Sequence, residues 1–99
     1  MFMSGTIFRI SLPSKVSHEN IYSIKEHLLE MIPEECDTVI VSLRYFQTLN
    51  SSTFKILIGL RQFLKDEQRK FYLSDVEDAC RAQIRLMNLD KVLVEEPET

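Results

Sequence analysis

A chain of 99 residues, 44% of them hydrophobic, with six phenylalanines and three tyrosines, has material for one compact core and none for a second domain. The net charge of -3 argues against a broad basic surface for nucleic acid, and no apolar run approaches the length of a membrane span. Neither nucleic-acid binding nor membrane insertion is expected.

Thr6 to Leu12 alternates loosely between apolar and polar residues and stops at Pro13, as a strand with one covered face does. Ser17 is read as an N-cap, with Glu19 in the first turn. A helix then follows through Ile21, Ile24, Leu28, Met31 and Ile32 until Pro33 ends it. Thr38 to Leu43 is β-branched and apolar almost without relief, which suits a central strand buried on both faces. After Asn50-Ser51-Ser52-Thr53, a wide apolar arc of Phe54, Ile56, Leu57, Ile58, Leu60, Phe63 and Leu64 predicts a mostly buried helix. Lys55, Gly59, Gln62 and Asp66 form its polar stripe. Lys70 to Ser74 reads as a third strand, and the turn through Asp75 opens a last helix over Val76, Ala79, Cys80, Ile84 and Met87. Asn88 stands where a left-handed C-cap residue belongs, with Leu89 as its apolar contact, and Val92 to Val94 read as a candidate short last strand. The domain is expected to span 1–94, with 95–99 as a polar C-terminal tail.

This alternation points to an α/β fold with largely parallel pairing. Gly5 and Gly59 are the only glycines, so neither a phosphate loop nor a dinucleotide fingerprint can be written onto the chain. Cys36 and Cys80 lack metal-ligand spacing, and His18 and His27 do not share a helical face. No metal and no cofactor are expected. The serines before the second helix lack the flanking glycines of a nucleophile elbow and have no histidine downstream, so an enzyme is not expected either. Met1 to Gly5 has no basic stretch leading into an apolar one, which sets the expectation of a cytoplasmic protein with reduced thiols. Lys65, Arg69, Lys70, Arg81 and Arg85 alternate with Asp66, Glu67, Glu77 and Asp78 and read as a solvated mixed-charge surface.

The informative stretch is the hydroxyl cluster at the strand-to-helix junction, where unpaired N–H groups of a first helical turn point outward. Ser51, Ser52 and Thr53 there are either helix caps or an exposed regulatory site. At this junction the chain resembles the STAS family, the domain of bacterial anti-sigma factor antagonists and of the cytoplasmic tails of sulfate transporters. Members show an apolar strand, a short turn, then Asp-Ser-Ser-Gly opening a helix. Here Thr38 to Leu43, Arg44 to Leu49 and Asn50-Ser51-Ser52-Thr53 fall in those places. Phe71 to Val76 is similar to the family's third main strand, and Asn88 to Leu93 looks like the Gly-Leu-Asp segment that closes its last helix.

The resemblance implies a STAS-like single domain, a mostly parallel sheet of about four or five strands packed with about three to five helices. It also implies a non-enzymatic regulatory protein whose partner is a kinase-type anti-sigma factor, with Ser52 as the phosphorylated residue and Ser51 and Thr53 as the other hydroxyls. The partner-binding surface is Asn50, Ser51, Ser52, Thr53, Phe54 and Ile58. Phe54 and Ile58 lie on the side of Arg61 and Lys65, where all four either meet the partner or edge the core. Three departures bear on this. Asn50 replaces the family's Asp, Thr53 replaces its Gly, and Ser42 stands where many members carry an Asp. Asn50 and Thr53 favour an alternative in which the chain is a constitutive interaction subunit of a stressosome or of a lipid-transport ABC system.

Overall fold

The computed structural model describes residues 6–86, within which the chain runs β1 (Ile7–Ser11), α1 (Ile21–Met31), β2 (Thr38–Ser42), α2 (Ser51–Asp66), β3 (Lys70–Ser74) and α3 (Asp78–Leu86). The strands pair in parallel in the order β1-β2-β3, with Phe8, Val39 and Phe71 in one row and Ser11, Ser42 and Ser74 in another. Two successive crossovers in the same direction put their helices on one face of the sheet. A single cluster accordingly joins Leu28 of α1, Leu57 and Leu60 of α2 and Ile84 of α3 to Val39, Val41 and Leu73 of the strands. β2 is buried at all five positions, as a central strand without polar alternation should be.

Among the described residues the sheet has three strands, fewer than the four or five expected from the sequence. The expected last strand at Val92 to Val94 lies outside the described residues. So do the Asn88 cap with Leu89, the tail at 95–99 and the start of the chain at Met1 to Gly5.

One helix start needs correction. Ser17 does not cap α1, because Asn20 occupies that position and its side chain faces backwards. The Asn20 carboxamide accepts from the Ser17 N–H at 2.8 Å and donates to the Lys15 carbonyl at 3.0 Å, closing a turn ahead of the helix. Ser17 Oγ accepts only from the Glu19 N–H inside that turn. Local side-chain hydrogen bonds of this kind offer the backbone an alternative to an early helix start. The other end behaves as read: Pro33 forces Ile32 into extended backbone at ψ 119°.

α2 closes differently from the family of glycine-terminated helices. Arg69 donates its N–H to the Leu64 carbonyl at 2.8 Å and Gln68 to the Lys65 carbonyl at 2.9 Å, the paired bonds of a Schellman ending. The left-handed residue in that ending is Gln68, at φ 63°. Gly59, in the helix interior, serves packing instead: a Cβ there would lie 3.0 Å from Lys25 Nζ, whose side chain crosses α2 at that point.

Candidate functional site

The turn between β2 and α2 sits at the C-terminal edge of the parallel sheet and is held from three directions. Leu43 continues the sheet by donating its N–H to the Ser74 carbonyl at 2.9 Å, and Phe46 folds back onto the Leu43 carbonyl at 3.0 Å. Leu43, Phe46 and Leu49 all enter the core, so the turn is anchored by apolar side chains although its chemistry is polar. From α3, Gln83 clasps the Leu49 backbone on both sides, accepting from its N–H at 2.7 Å and donating to its carbonyl at 2.8 Å. One turn earlier on α3, the buried Cys80 thiol lies 3.6 Å from the Phe46 carbonyl. Burial, with Glu77 adding to it, pushes the Cys80 pKa up, which keeps the thiol protonated and able to donate.

The third direction is set by Asn50, the N-cap of α2. Its Oδ1 accepts from the Thr53 N–H at 2.8 Å, satisfying one of the open donors of the first turn. The same oxygen accepts from the Thr53 hydroxyl at 2.9 Å, and its Nδ2 donates to the carbonyl of Val16 at 2.8 Å. An aspartate could make the first two bonds and not the third, since a carboxylate has no donor. A glycine in place of Thr53 would make only the first. The two departures from the family motif are therefore one structural unit. Asparagine is needed to reach Val16, and threonine adds a second bond to the oxygen that asparagine presents.

The three hydroxyls have separate fates. Thr53 is completely buried and its hydroxyl is committed to Asn50. Ser51 is exposed at the first helical position. Ser52 is 8% exposed, and its hydroxyl makes no hydrogen bond among the described residues. No fully buried side-chain oxygen or nitrogen there is left unpaired, so the Ser52 hydroxyl touches solvent. Of the two apolar residues expected at the partner surface, Phe54 lies in the core at 4% exposure and Ile58 stands at 37%. The apolar arc of α2 is broad enough to take in Phe54 and leaves Ile58 at its margin.

At the entrance to the turn, Ser42 donates to Asp75 Oδ2 at 2.6 Å and accepts from Arg44 Nε at 3.2 Å. Arg44 also approaches the same carboxylate at 3.5 Å, with both side chains about half exposed. The Ser42 hydroxyl is the main cause holding the Asp75 carboxyl below its usual range; desolvation opposes it, and Arg44 and Ser74 add to it. Asp75 adopts φ 54°, and this backbone directs its side chain across the strand ends toward Ser42. Where many family members end β2 with an aspartate, this chain supplies a carboxylate from the end of β3.

Sequence reading located Asn50, Ser51, Ser52 and Thr53 on one turn, and the structure groups them there. It missed Val16 and Gln83. The only signal for Gln83 was a polar residue beside Cys80 and Ile84 on the inner side of α3, and Val16 takes part through its backbone, which leaves no signal at all. Among the described residues, no group of three or more His, Cys, Asp or Glu side chains could hold a metal ion. No helix there is long and apolar enough to cross a membrane.

A parallel sheet covered on one face by its crossover helices, with a hydroxyl-bearing turn held rigid at its C-terminal edge, defines a small α/β domain whose distinctive chemistry lies at a helix N-terminus. The sequence matches the STAS domain family over residues 4–98, and the chain belongs to that family, whose members are regulatory or sulfate-transporter-associated domains. A search of curated proteins finds no match.

Proposed function

We propose that this STAS domain is a cytoplasmic regulatory protein of the anti-sigma factor antagonist type, which binds a kinase-type anti-sigma factor through the N-terminal end of α2 and is switched by phosphorylation of Ser52. The observation that carries this reading is the division of labour among the hydroxyls. Thr53 is spent on the cap, which leaves Ser52 uncommitted at the second position of the helix. A phosphate there adds about −1.5 to −2 charges beside open backbone N–H groups, in a first turn that carries no acidic residue. The fold tolerates that charge. An interface packed around Ser51, Ser52 and Ile58 does not, because burying it against a partner strips its water.

The test is incubation with the candidate kinase and ATP, read by mass spectrometry, with a phosphorylatable STAS protein as control. Phosphate on Ser52, abolished by Ser52→Ala and accompanied by loss of the complex, is the expected result. If Ser51, Ser52 and Thr53 all stay unmodified while the control is phosphorylated, the switch is absent.

The low exposure of Ser52 favours a second reading, a constitutive interaction subunit of a stressosome or of a lipid-transport ABC system that docks through the same helix. Copurification separates the two, since a histidine-kinase-like anti-sigma factor and a transporter ATPase are readily distinguished.

A further inference from the structure

Four of the chain's twelve cationic residues, Arg61, Lys65, Arg69 and Lys70, line one open cleft of about 270 Å³ between the C-terminal half of α2 and β3, with Phe71 and Tyr72 as its aromatic wall. Among the described residues no carboxylate lines it. Arg69 is the fixed member: its Nη1 donates to the Pro33 carbonyl at 3.0 Å and its Nη2 pairs with Glu67 at 2.7 Å. The side chains of Arg61, Lys65 and Lys70 make no hydrogen bond or ion pair among the described residues. In a chain of net charge -3, this cleft is a local reversal of sign in which, among the described residues, only Arg69 has a carboxylate partner.

We propose that this cleft docks an acidic segment of a protein partner, one in extended form with carboxylates on alternate residues. Arg61 and Lys65 stand one helical turn apart, a rise of about 6 Å. Alternate residues of an extended chain repeat every ~6.6 Å and present side chains on the same side. Arg61 and Lys65 thus match a pair of carboxylates on alternate residues, and Arg69 and Lys70 in the same cleft leave more cations than a single phosphate would engage. A nucleic acid backbone fits less well, because Asp66 and Glu67 follow directly on α2 and the overall charge repels a long polyanion. Ile58, three residues before Arg61, extends the row with an exposed apolar position toward the Ser52 end. The assignment of that segment to the protein that contacts Ser52 rests on the reading under Proposed function; the charge match of the cleft does not.

The experiment is fluorescence anisotropy of the full chain with a labelled peptide of alternating glutamate and alanine, beside the same peptide with glutamine for glutamate. The acidic peptide is expected to bind and the neutral one not to. Arg61→Glu combined with Lys65→Glu should weaken binding about tenfold or more, and 1 M salt, where the screening length is about 3 Å, should do the same. Lys70→Gln, at an exposed strand position, gives a second and milder loss should the double variant unfold. Equal binding of both peptides, no loss in the charge variants, or tighter binding of random duplex DNA overturns the inference. Ser52→Asp, which tests the switch, should leave peptide binding unchanged. Failure of the peptide therefore refutes the cleft and leaves the switch standing, whereas failure of phosphorylation refutes the switch alone.

Discussion

The two ends of α2 are built on opposite terms. At its N-terminus the groups are polar and uncharged, and the cap is answered from outside the helix: Thr53 bonds Asn50, Asn50 bonds Val16, and Gln83 clasps the preceding residue. At its C-terminus the bonds that close the helix are backbone bonds around its last residues, and the side chains of Arg61, Lys65 and Lys70 have no partner among the described residues. One end spends its polar groups on holding a shape, and the other keeps its charges available. The difference teaches that hydrogen bonds from distant residues fix the geometry of one end. Solvated cations at the other end fix only a sign of charge.

Breaking the N-terminal end should cost most. Asn50→Ala removes the cap and leaves the Val16 carbonyl and the buried Thr53 hydroxyl without their partner, an expected loss of about 3 kcal/mol in denaturant unfolding. Adding Thr53→Val removes that stranded hydroxyl. The double variant should therefore cost about 1 kcal/mol less than the sum of the two single changes. Simple additivity in that cycle would show that the two residues do not act as a unit. A smaller and sharper probe is Asn50→Asp, which restores the family residue yet cannot donate to Val16. It should destabilise by about 1 kcal/mol, and an unchanged or raised midpoint would contradict the role given to that bond.

The C-terminal end should respond in the opposite sense. Gln68→Gly relieves a left-handed backbone at the helix terminus and should raise stability by about 0.5 to 1 kcal/mol in thermal or denaturant unfolding, where the polar end offers no such gain. The smallest effect concerns Asp75 at the mouth of the turn. Its carboxyl is lowered in the folded protein, so its contribution is present above the unfolded value of about 3.9 and lost as the pH falls through the folded value. Because the group is half exposed, that contribution is about 0.5 kcal/mol or less. Asp75→Asn should abolish it, visible as a smaller loss of midpoint between pH 6 and pH 3.

Much of this was readable in the sequence wherever the cause is local. The uninterrupted apolar run at Thr38 to Leu43 marked the central strand, and the spacing of apolar residues marked α2. What escaped was either an ambiguous local signal or a distant partner. Ser17 and Asn20 are both good capping residues, and only the bond of Asn20 back to Ser17 decides between them. The end of α2 carried no glycine to announce it, because Gln68 takes the left-handed position. Phe54 looked marginal on a helical projection that cannot register what packs over the first turn. Above all, the bonds that shape the candidate site join Asn50 to Val16, Leu49 to Gln83 and Ser42 to Asp75, each 33 or 34 residues apart, and no local pattern reports them.

That separation is about one strand-plus-helix repeat, and it bears on the order in which the protein assembles. The interior of α2 can form early from contacts close in sequence. The Val16 carbonyl reaches Asn50 only after β1 has docked beside β2, and Gln83 reaches Leu49 only when α3 arrives, each closing a loop at an entropic cost. The turn that gives the domain its chemistry is thus a late-consolidating part of the molecule. Asn50→Ala should act mainly by speeding unfolding while the refolding rate stays nearly unchanged, and a comparable slowing of refolding would place the turn in the folding nucleus instead.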